Sequence, residues 1–232
     1  MSKTRSLRWH ICDTEAAVCE RAVAWIANAA SEAIAARGVF HIVLAGGDTP
    51  RRVYAGLRNI RTDWHAWQFW FGDERCLSED DPRRNSYMAR ETLLDHIPVP
   101  PTQVHTIRCE LGVEQAAAHY QALLRDASEF DLVLLGLGND GHTASLFPGN
   151  DWGDEPGSAD VLAVYHSPKP PARRVSLGAR RLARARCVLF LITGAGKRDA
   201  VIAWRDGAAL PVTAIRPSTG VDVLVEKICI GS

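Results

Sequence analysis

The sequence lacks almost every feature that would place it outside the ordinary globular enzymes. It has no charge excess: Lys plus Arg and Asp plus Glu number 27 each, so the formal net charge is zero. Proteins that hold nucleic acid or lie on a membrane surface usually need a basic surplus, so neither partner is expected. No apolar run reaches the length of a membrane span. The first ten residues, Met1 to His10, lack the apolar stretch of a signal peptide. The six cysteines include no Cys-x-x-Cys pair and mostly sit in apolar contexts, as free thiols do in a reducing compartment. A cytoplasmic, soluble protein is the expectation. Also missing are the Gly-x-x-x-x-Gly-Lys-Ser/Thr loop of nucleotide phosphatases, the Gly-x-Ser-x-Gly elbow, the His-Glu-x-x-His helix and any Cys/His cluster. A P-loop, a serine nucleophile and a bound metal are therefore not expected. What remains is a chain of 232 residues, 47% hydrophobic, long enough for one sizeable core. No interior linker demands a second domain, so a single domain over 1–232 is expected.

Periodicity predicts alternating strands and helices. Asp13 is positioned to cap a long helix. Along it Val18, Ala22, Trp25, Ile26, Ala29, Ala33 and Ile34 recur at helical spacing as far as Gly38. Residues 39–44, 67–71, 132–135 and 187–192 are apolar runs of strand length. Residues 104–107, 161–165, 173–177 and 221–225 are further strands, with a short basic turn between 177 and 187. Pro50 opens a helix over 51–57, Asn85 caps one through Met88 to Leu94, and 113–129 forms another. Residues 149–160 are rich in Gly, Asp and Pro and form a surface loop, and Ser167-Pro-Lys-Pro-Pro171 is a break. Such alternation predicts an α/β fold with a doubly wound, mostly parallel sheet.

Four strand ends empty into polar or glycine-rich loops: 45–50, 72–75, 136–142 and 193–197. A parallel sheet gathers such ends at one edge, where α/β proteins place their sites. Gly46 and Gly47 precede a helix start, which is either an anion site or a plain βα turn. Asp73, Glu74 and Arg75 are either a solvated salt-bridge turn or part of a site. Gly136-Leu-Gly-Asn-Asp-Gly141 fits Gly-x-G-x-x-Gly literally, but Pro148 and Gly149 interrupt the helix that a dinucleotide would need, so no such cofactor is expected. His142, two residues after Asp140, is either structural or a base poised near neutral pH. Lys197 and Arg174 are surface cations or, with the 46–49 loop, a phosphate clamp.

The motifs Leu-Ala-Gly-Gly-Asp-Thr-Pro at 44–50, Gly-Asp-Glu-Arg at 72–75, Leu-Gly-Leu-Gly-Asn-Asp-Gly-His-Thr-Ala-Ser-Leu-Phe-Pro-Gly at 135–149, Arg-Val-Ser-Leu at 174–177 and Thr-Gly-Ala-Gly-Lys at 193–197 follow one another here. In order and spacing the chain resembles the 6-phosphogluconolactonases over roughly residues 15–226. The resemblance implies a Rossmann-like, three-layer α/β/α sandwich. It implies hydrolysis of 6-phospho-D-glucono-1,5-lactone to 6-phosphogluconate in the oxidative pentose phosphate pathway, without metal or organic cofactor. It implies His142 as general base with Asp140 beside it, Arg75, Arg174 and Lys197 as substrate-binding cations, and Gly46, Gly47 and Thr49 as the phosphate loop, with Asp73 also on the substrate. The expected partner is the small sugar-phosphate lactone, and the expected state a monomer or weak homodimer. Two departures stand out: Asp48 replaces a frequent Ser and cannot donate to phosphate, and Cys76-Leu77 replaces a frequent Val-Pro. The rival expectations are an aminosugar-phosphate deaminase or isomerase with Asp73 as carbon-acid base, and a sugar-phosphate sensor without catalysis. Deaminases typically continue the Asp-Gly-His loop with Ile-Ala-Phe-Asn-Glu-Pro, whereas Thr143-Ala-Ser-Leu-Phe-Pro148 follows here.

Overall fold

The computed structural model describes residues 6–125, 127 and 129–230. Residues 1–5, part of the stretch read for a targeting signal, lie outside the described residues. In chain order the first elements are β1 (Leu7–Cys12), α1 (Glu15–Arg37), β2 (Phe40–Leu44), α2 (Asp48–Leu57), β3 (Trp67–Phe71), β4 (Asp73–Arg75), α3 (Asn85–Thr92), β5 (Val104–His105) and α4 (Val113–Leu123). Then come β6 (Phe130–Gly136), β7 (Val161–Val164), β8 (Arg174–Leu177), α5 (Ala179–Ala183), β9 (Ala185–Ile192), α6 (Arg198–Arg205) and β10 (Val221–Glu226).

Seven strands form a wholly parallel sheet in the order β1-β10-β9-β6-β2-β3-β5, flanked by helices. β2 and β6 are nearly continuous apolar runs and are buried almost throughout, as strands covered on both faces are. From β2 the chain winds outward through β3 to β5. β6 then returns to pair with β2, Ile42 opposite Leu132 and Val43 opposite Val133, and β9 and β10 wind the other way. The strand order reverses between β2 and β6, and the crevice at the carboxyl ends of such a pair is where open sheets hold their ligands.

The expected mostly parallel sheet is thus present, with two additions. β1 is an edge strand that periodicity did not mark, because only Cys12 of its six residues is buried. β4, β8 and β7 form a separate antiparallel sheet, with Asp73 opposite Ser176 and Arg75 opposite Arg174. The segment 72–75 is therefore a paired strand rather than a loop, and 161–165 and 173–177 leave the main sheet. No local pattern announces a pairing between residues so far apart.

Several helix ends also differ. Thr14, not Asp13, caps α1, accepting the Ala17 N–H at 3.2 Å. At the other end Gly38 takes a left-handed φ of 73° and donates to Ile34, as expected of a closing glycine. α2 starts at Asp48, before Pro50, and its acidic first residue faces the positive end of the helix dipole. Asn85 does not cap α3; a buried carboxylate from β4 does so, as described below. The helix expected over 113–129 ends at Leu123; positions 126 and 128 lie outside the described residues. The basic turn after 177 is helix α5, whose Arg181 is fully buried and stacks on Phe130 at 3.8 Å. Among the described residues no helix is long and apolar enough to cross a membrane.

One polar cluster makes stability pH-dependent. Trp70 stacks on His105 at 3.8 Å between ring centroids and donates its indole N–H to His41 Nδ1 at 3.2 Å. Burial lowers the pKa of both histidines from the ordinary 6.5; the nearby Asp131 opposes this at His41, and His41 adds to it at His105. Each is therefore neutral in the fold where the unfolded chain would already be protonated. Their contribution is complete above pH 6.5 and is lost as the pH falls through the depressed folded values. Urea midpoints are expected to drop on acidification below about 6.5. The His41→Gln/His105→Gln double variant is expected to flatten that slope; an unaltered slope would assign it elsewhere.

Candidate active site

The carboxyl ends of β2, β3 and β6, with Lys197 from the segment after β9, border one cleft of about 220 Å³. Of the nine residues expected from the sequence, Gly46, Gly47, Asp73, Arg75, His142, Arg174 and Lys197 line it. Asp140 and Thr49 sit behind the lining. Asp140 holds His142, and Thr49 Oγ1 bonds Thr193 Oγ1 at 2.6 Å. A larger hollow of about 580 Å³ lies elsewhere, beside Arg180, Arg184 and Asp160. Arg184 is paired there with Asp160, and the lining contains no histidine.

The loop after β6 is shaped by its own backbone. Gly138 N–H donates to His142 O at 2.7 Å, Gly141 N–H donates to Gly138 O at 3.0 Å, and Gly141 takes φ 82°. The turn folds the imidazole back over Gly138, where a Cβ would lie 1.9 Å from Nδ1. Only glycine fits there. Asp140 Oδ1 accepts from His142 Nδ1, and from the His142 N–H at 3.3 Å. A carboxylate cannot donate, so Nδ1 carries the proton and Nε2 keeps a lone pair when the ring is neutral. Burial holds the His142 pKa below its ordinary value, against the opposing bond and charge of Asp140; Lys169 lowers it further. For Asp140 burial acts upward, but the His142 bond and charge and the charge of Lys169 together keep it below the usual carboxylate range.

The cleft wall from β4 is buried, not a solvated turn. Asp73 Oδ1 accepts from Asn85 Nδ2 at 2.9 Å, and its Oδ2 accepts from Ser145 Oγ at 2.6 Å. Glu74 is fully buried. Its carboxylate accepts the backbone N–H groups of Arg75, Asn85 and Ser86 at 2.7–2.8 Å, which caps α3, and it faces Arg84 at 3.5 Å. Arg75 donates to Arg83 O, while its Nε is buried without a partner among the described residues. Opposite, Asn85 packs on the glycine turn so tightly that a Cβ on Gly46 would lie 1.9 Å from Asn85 Oδ1.

The remaining cations have unequal roles. Arg174 lies in β8 and donates to the carbonyls of Pro171, Lys169 and Pro170 at 3.1–3.3 Å. It therefore folds the 167–171 loop over the cleft as well as adding charge, and its guanidinium lies 5.5 Å from the Phe147 ring. Burial is the largest influence on its pKa and lowers it. Lys197 donates to Asn139 Oδ1 at 2.8 Å, and burial followed by the charge of Lys169 lowers its pKa. Lys169 lines the cleft and lies 4.0 Å from Asp140, although its segment reads in the sequence only as a break. A lysine set among three prolines was the available signal. Asn85 lines the cleft where its sequence context suggests only a helix cap, and Asn139 holds Lys197 with no local signal that it would. Chemically, the cleft offers one neutral base, four cations and a helix start at Gly47, a set suited to a water-activating reaction on an anionic ligand. Among the described residues no group of three or more His, Cys, Asp or Glu side chains could hold a metal.

Comparison with known proteins matches this arrangement. Residues 13–224 fit the family model described as glucosamine-6-phosphate isomerases/6-phosphogluconolactonase. The chain is 38% identical over 197 residues to the 6-phosphogluconolactonase of Mycobacterium leprae, covering 79% of each. It is 37% identical over 213 residues to that of Streptomyces coelicolor, covering 82% of this chain and 80% of the relative. The crystal structure of 6-phosphogluconolactonase from Thermotoga maritima superposes with a TM-score of 0.88 at 28% identity, over 96% of this chain and all of that one.

Proposed function

Because the chain belongs to the family of glucosamine-6-phosphate isomerases and 6-phosphogluconolactonases, we propose that it hydrolyses 6-phospho-D-glucono-1,5-lactone to 6-phospho-D-gluconate with His142 as general base. The observation that carries this reading is the Asp140–His142 bond at the edge of a cleft bordered by four cations. His142 Nε2 takes a proton from the water that attacks the lactone carbonyl. The imidazolium so formed is stabilised by Asp140, which also keeps the ring in one tautomer. Negative charge develops on the carbonyl oxygen and needs donors. Gly138 and Gly141 already spend their N–H groups inside the turn, so Arg75 is the donor we assign. The ring oxygen leaves as an alkoxide and recovers a proton from His142. Lys197, Lys169 and the α2 start near Gly46 and Gly47 hold the phosphate, with Thr49 bracing the turn through Thr193. Asp73 accepts from a sugar hydroxyl only with lone pairs that Asn85 and Ser145 leave free. The same reading takes the protein as a cytoplasmic, single-domain enzyme of the oxidative pentose phosphate pathway, a monomer or weak homodimer working without a cofactor.

The deaminase alternative asks Asp73 to pull a proton from carbon. Each of its oxygens already holds a buried donor, which weakens it as a base. The deciding measurement is hydrolysis of freshly made 6-phosphogluconolactone with spontaneous opening subtracted, run beside ammonia release from glucosamine 6-phosphate. Lactone turnover with no ammonia is expected; the reverse result would reject the proposal.

Lys197→Ala is expected to raise KM with little change in kcat. A phosphate remote from the reacting carbon is bound alike in ground and transition states. Collapse of kcat at constant KM would move Lys197 into the chemistry. Arg174→Ala is a poorer probe, since it also releases the loop carrying Lys169.

A further inference from the structure

Cys76 and Cys109 take no part in the proposed chemistry. Cys76 follows Arg75 directly, and its backbone N–H is held by Arg173 O at 3.0 Å. Cys109 begins the single 3₁₀ turn Cys109–Leu111 that precedes α4. The two are 33 residues apart in sequence, yet their Sγ atoms are 3.0 Å apart, and both are free thiols. A disulfide needs about 2.0 Å between sulfurs, so a shift of roughly 1 Å turns this contact into a bond. The surroundings are charged and buried: Arg84 lies between Glu74 and Glu110 at 3.5 Å from each. Cys76 is partly exposed and Cys109 is buried.

We propose that Cys76 and Cys109 form a reversible oxidation site, closed to a disulfide by hydrogen peroxide and reopened by a dithiol. Cys76 is the attacking group. Its hydrogen-bonded contact with Cys109 lowers its pKa against the opposing effect of burial, and Arg84 and Arg173 add to the lowering; the same contact and burial raise that of Cys109. The Cys76 thiolate attacks one peroxide oxygen, the O–O bond breaks, and the departing hydroxide takes a proton to leave as water. Cys76 is then a sulfenic acid. Cys109 sulfur attacks the Cys76 sulfur and gives up its proton, the S–O bond breaks, and a second water leaves. Two thiols and one peroxide become one disulfide and two waters; the sulfurs lose the two electrons that the peroxide gains. A dithiol returns two electrons and two protons by exchange.

The bond would close a span that contains Arg75's partner Arg83, the buried Arg84, Asn85 and all of α3. Of these, Asn85 lines the cleft directly. Cross-linking constrains the unfolded chain most, so the oxidised protein is harder to melt while the cleft keeps its shape.

The test uses the full chain. Peroxide treatment is expected to lower the thiol count in denaturant from six to four, and a non-reducing peptide map is expected to join the Cys76 and Cys109 peptides. The melting midpoint is expected to rise by roughly 5–15 °C and to return with dithiothreitol. Cys109→Ser is expected to abolish both the intramolecular bond and the shift. Six surviving thiols, a bond mapped to another cysteine or between two chains, or a melting shift retained in Cys109→Ser would overturn the proposal. The map and thiol count are read on the unsubstituted protein, so a variant that folds poorly does not rescue or sink it. Lactonase activity is not among the readouts, so failure here and failure of the proposed function are separate results.

Discussion

His142→Ala is expected to lower kcat by ~10²–10⁴-fold while the protein stays folded and still binds 6-phosphogluconate. The lost step is proton removal from water; the cations and the α2 start that hold the phosphate are untouched by the substitution. The pH profile gives an independent check. Burial depresses the His142 pKa from 6.5, and the base works only when neutral. Thus kcat/KM is expected to rise with pH through an apparent pKa below 6.5 and then level off. Asp140→Asn removes the bond and charge that raise this pKa, so the acid limb is expected to move to lower pH while the plateau falls because the tautomer is no longer fixed. A His142→Ala enzyme with an undiminished rate would end the general-base assignment. An unchanged acid limb in Asp140→Asn would deny that the dyad works as a unit.

Glu74→Ala is expected to be the most destabilising single change in the cleft wall. Its carboxylate is fully buried, satisfies three backbone N–H groups and faces the equally enclosed Arg84. Removing it leaves the buried Arg84 with Glu110 as its one carboxylate partner among the described residues, orphans three backbone N–H groups and uncaps α3. Breaking a buried pair from one side costs about 3–5 kcal/mol, which in a chain of this size lowers the melting midpoint by roughly 10 °C. Glu74→Gln keeps the bulk and one acceptor but turns an amide N–H toward a backbone donor, so it is expected to fall between the two. Asp81→Ala is the control: its partner Arg83 is exposed, and pairs in water contribute little. Thermal melts that rank Glu74→Ala with Asp81→Ala would mean that Glu74 is replaceable by water.

The strands that mattered most were legible. Residues 67–71 matched β3 to the residue, and 132–135 lies inside β6. Both are apolar runs that only double burial explains. The loops at their ends were legible too, since glycines, an acid and a histidine at a strand end have few structural excuses. Hidden from the sequence was whatever depends on distant backbone pairing. The three residues of β4 are all charged, and they become a strand only because β8 lies beside them. Lys169 reaches the cleft because Arg174 gathers the carbonyls around it, a fact of three dimensions rather than of spacing. The α1 cap was misplaced by one residue for a smaller reason: Asp13 and Thr14 are both good caps, and only geometry separates them.

β1 has one neighbour in the sheet, β10, and pairs with it along its whole length, from Leu7 opposite Val221 to Cys12 opposite Glu226. During synthesis β1 leaves the ribosome before every other strand, and its template is made after all of them. It must therefore wait, unpaired, until the stretch between β1 and β10 has been made. Arg8 and His10 mark that wait, for both are matched by Asp222, a carboxylate that arrives with the final strand. The nascent chain is expected to hold its β2–β6 centre together first and to add β1 last, so that a ribosome stalled before β10 carries a sheet with a missing margin and an unpaired β1.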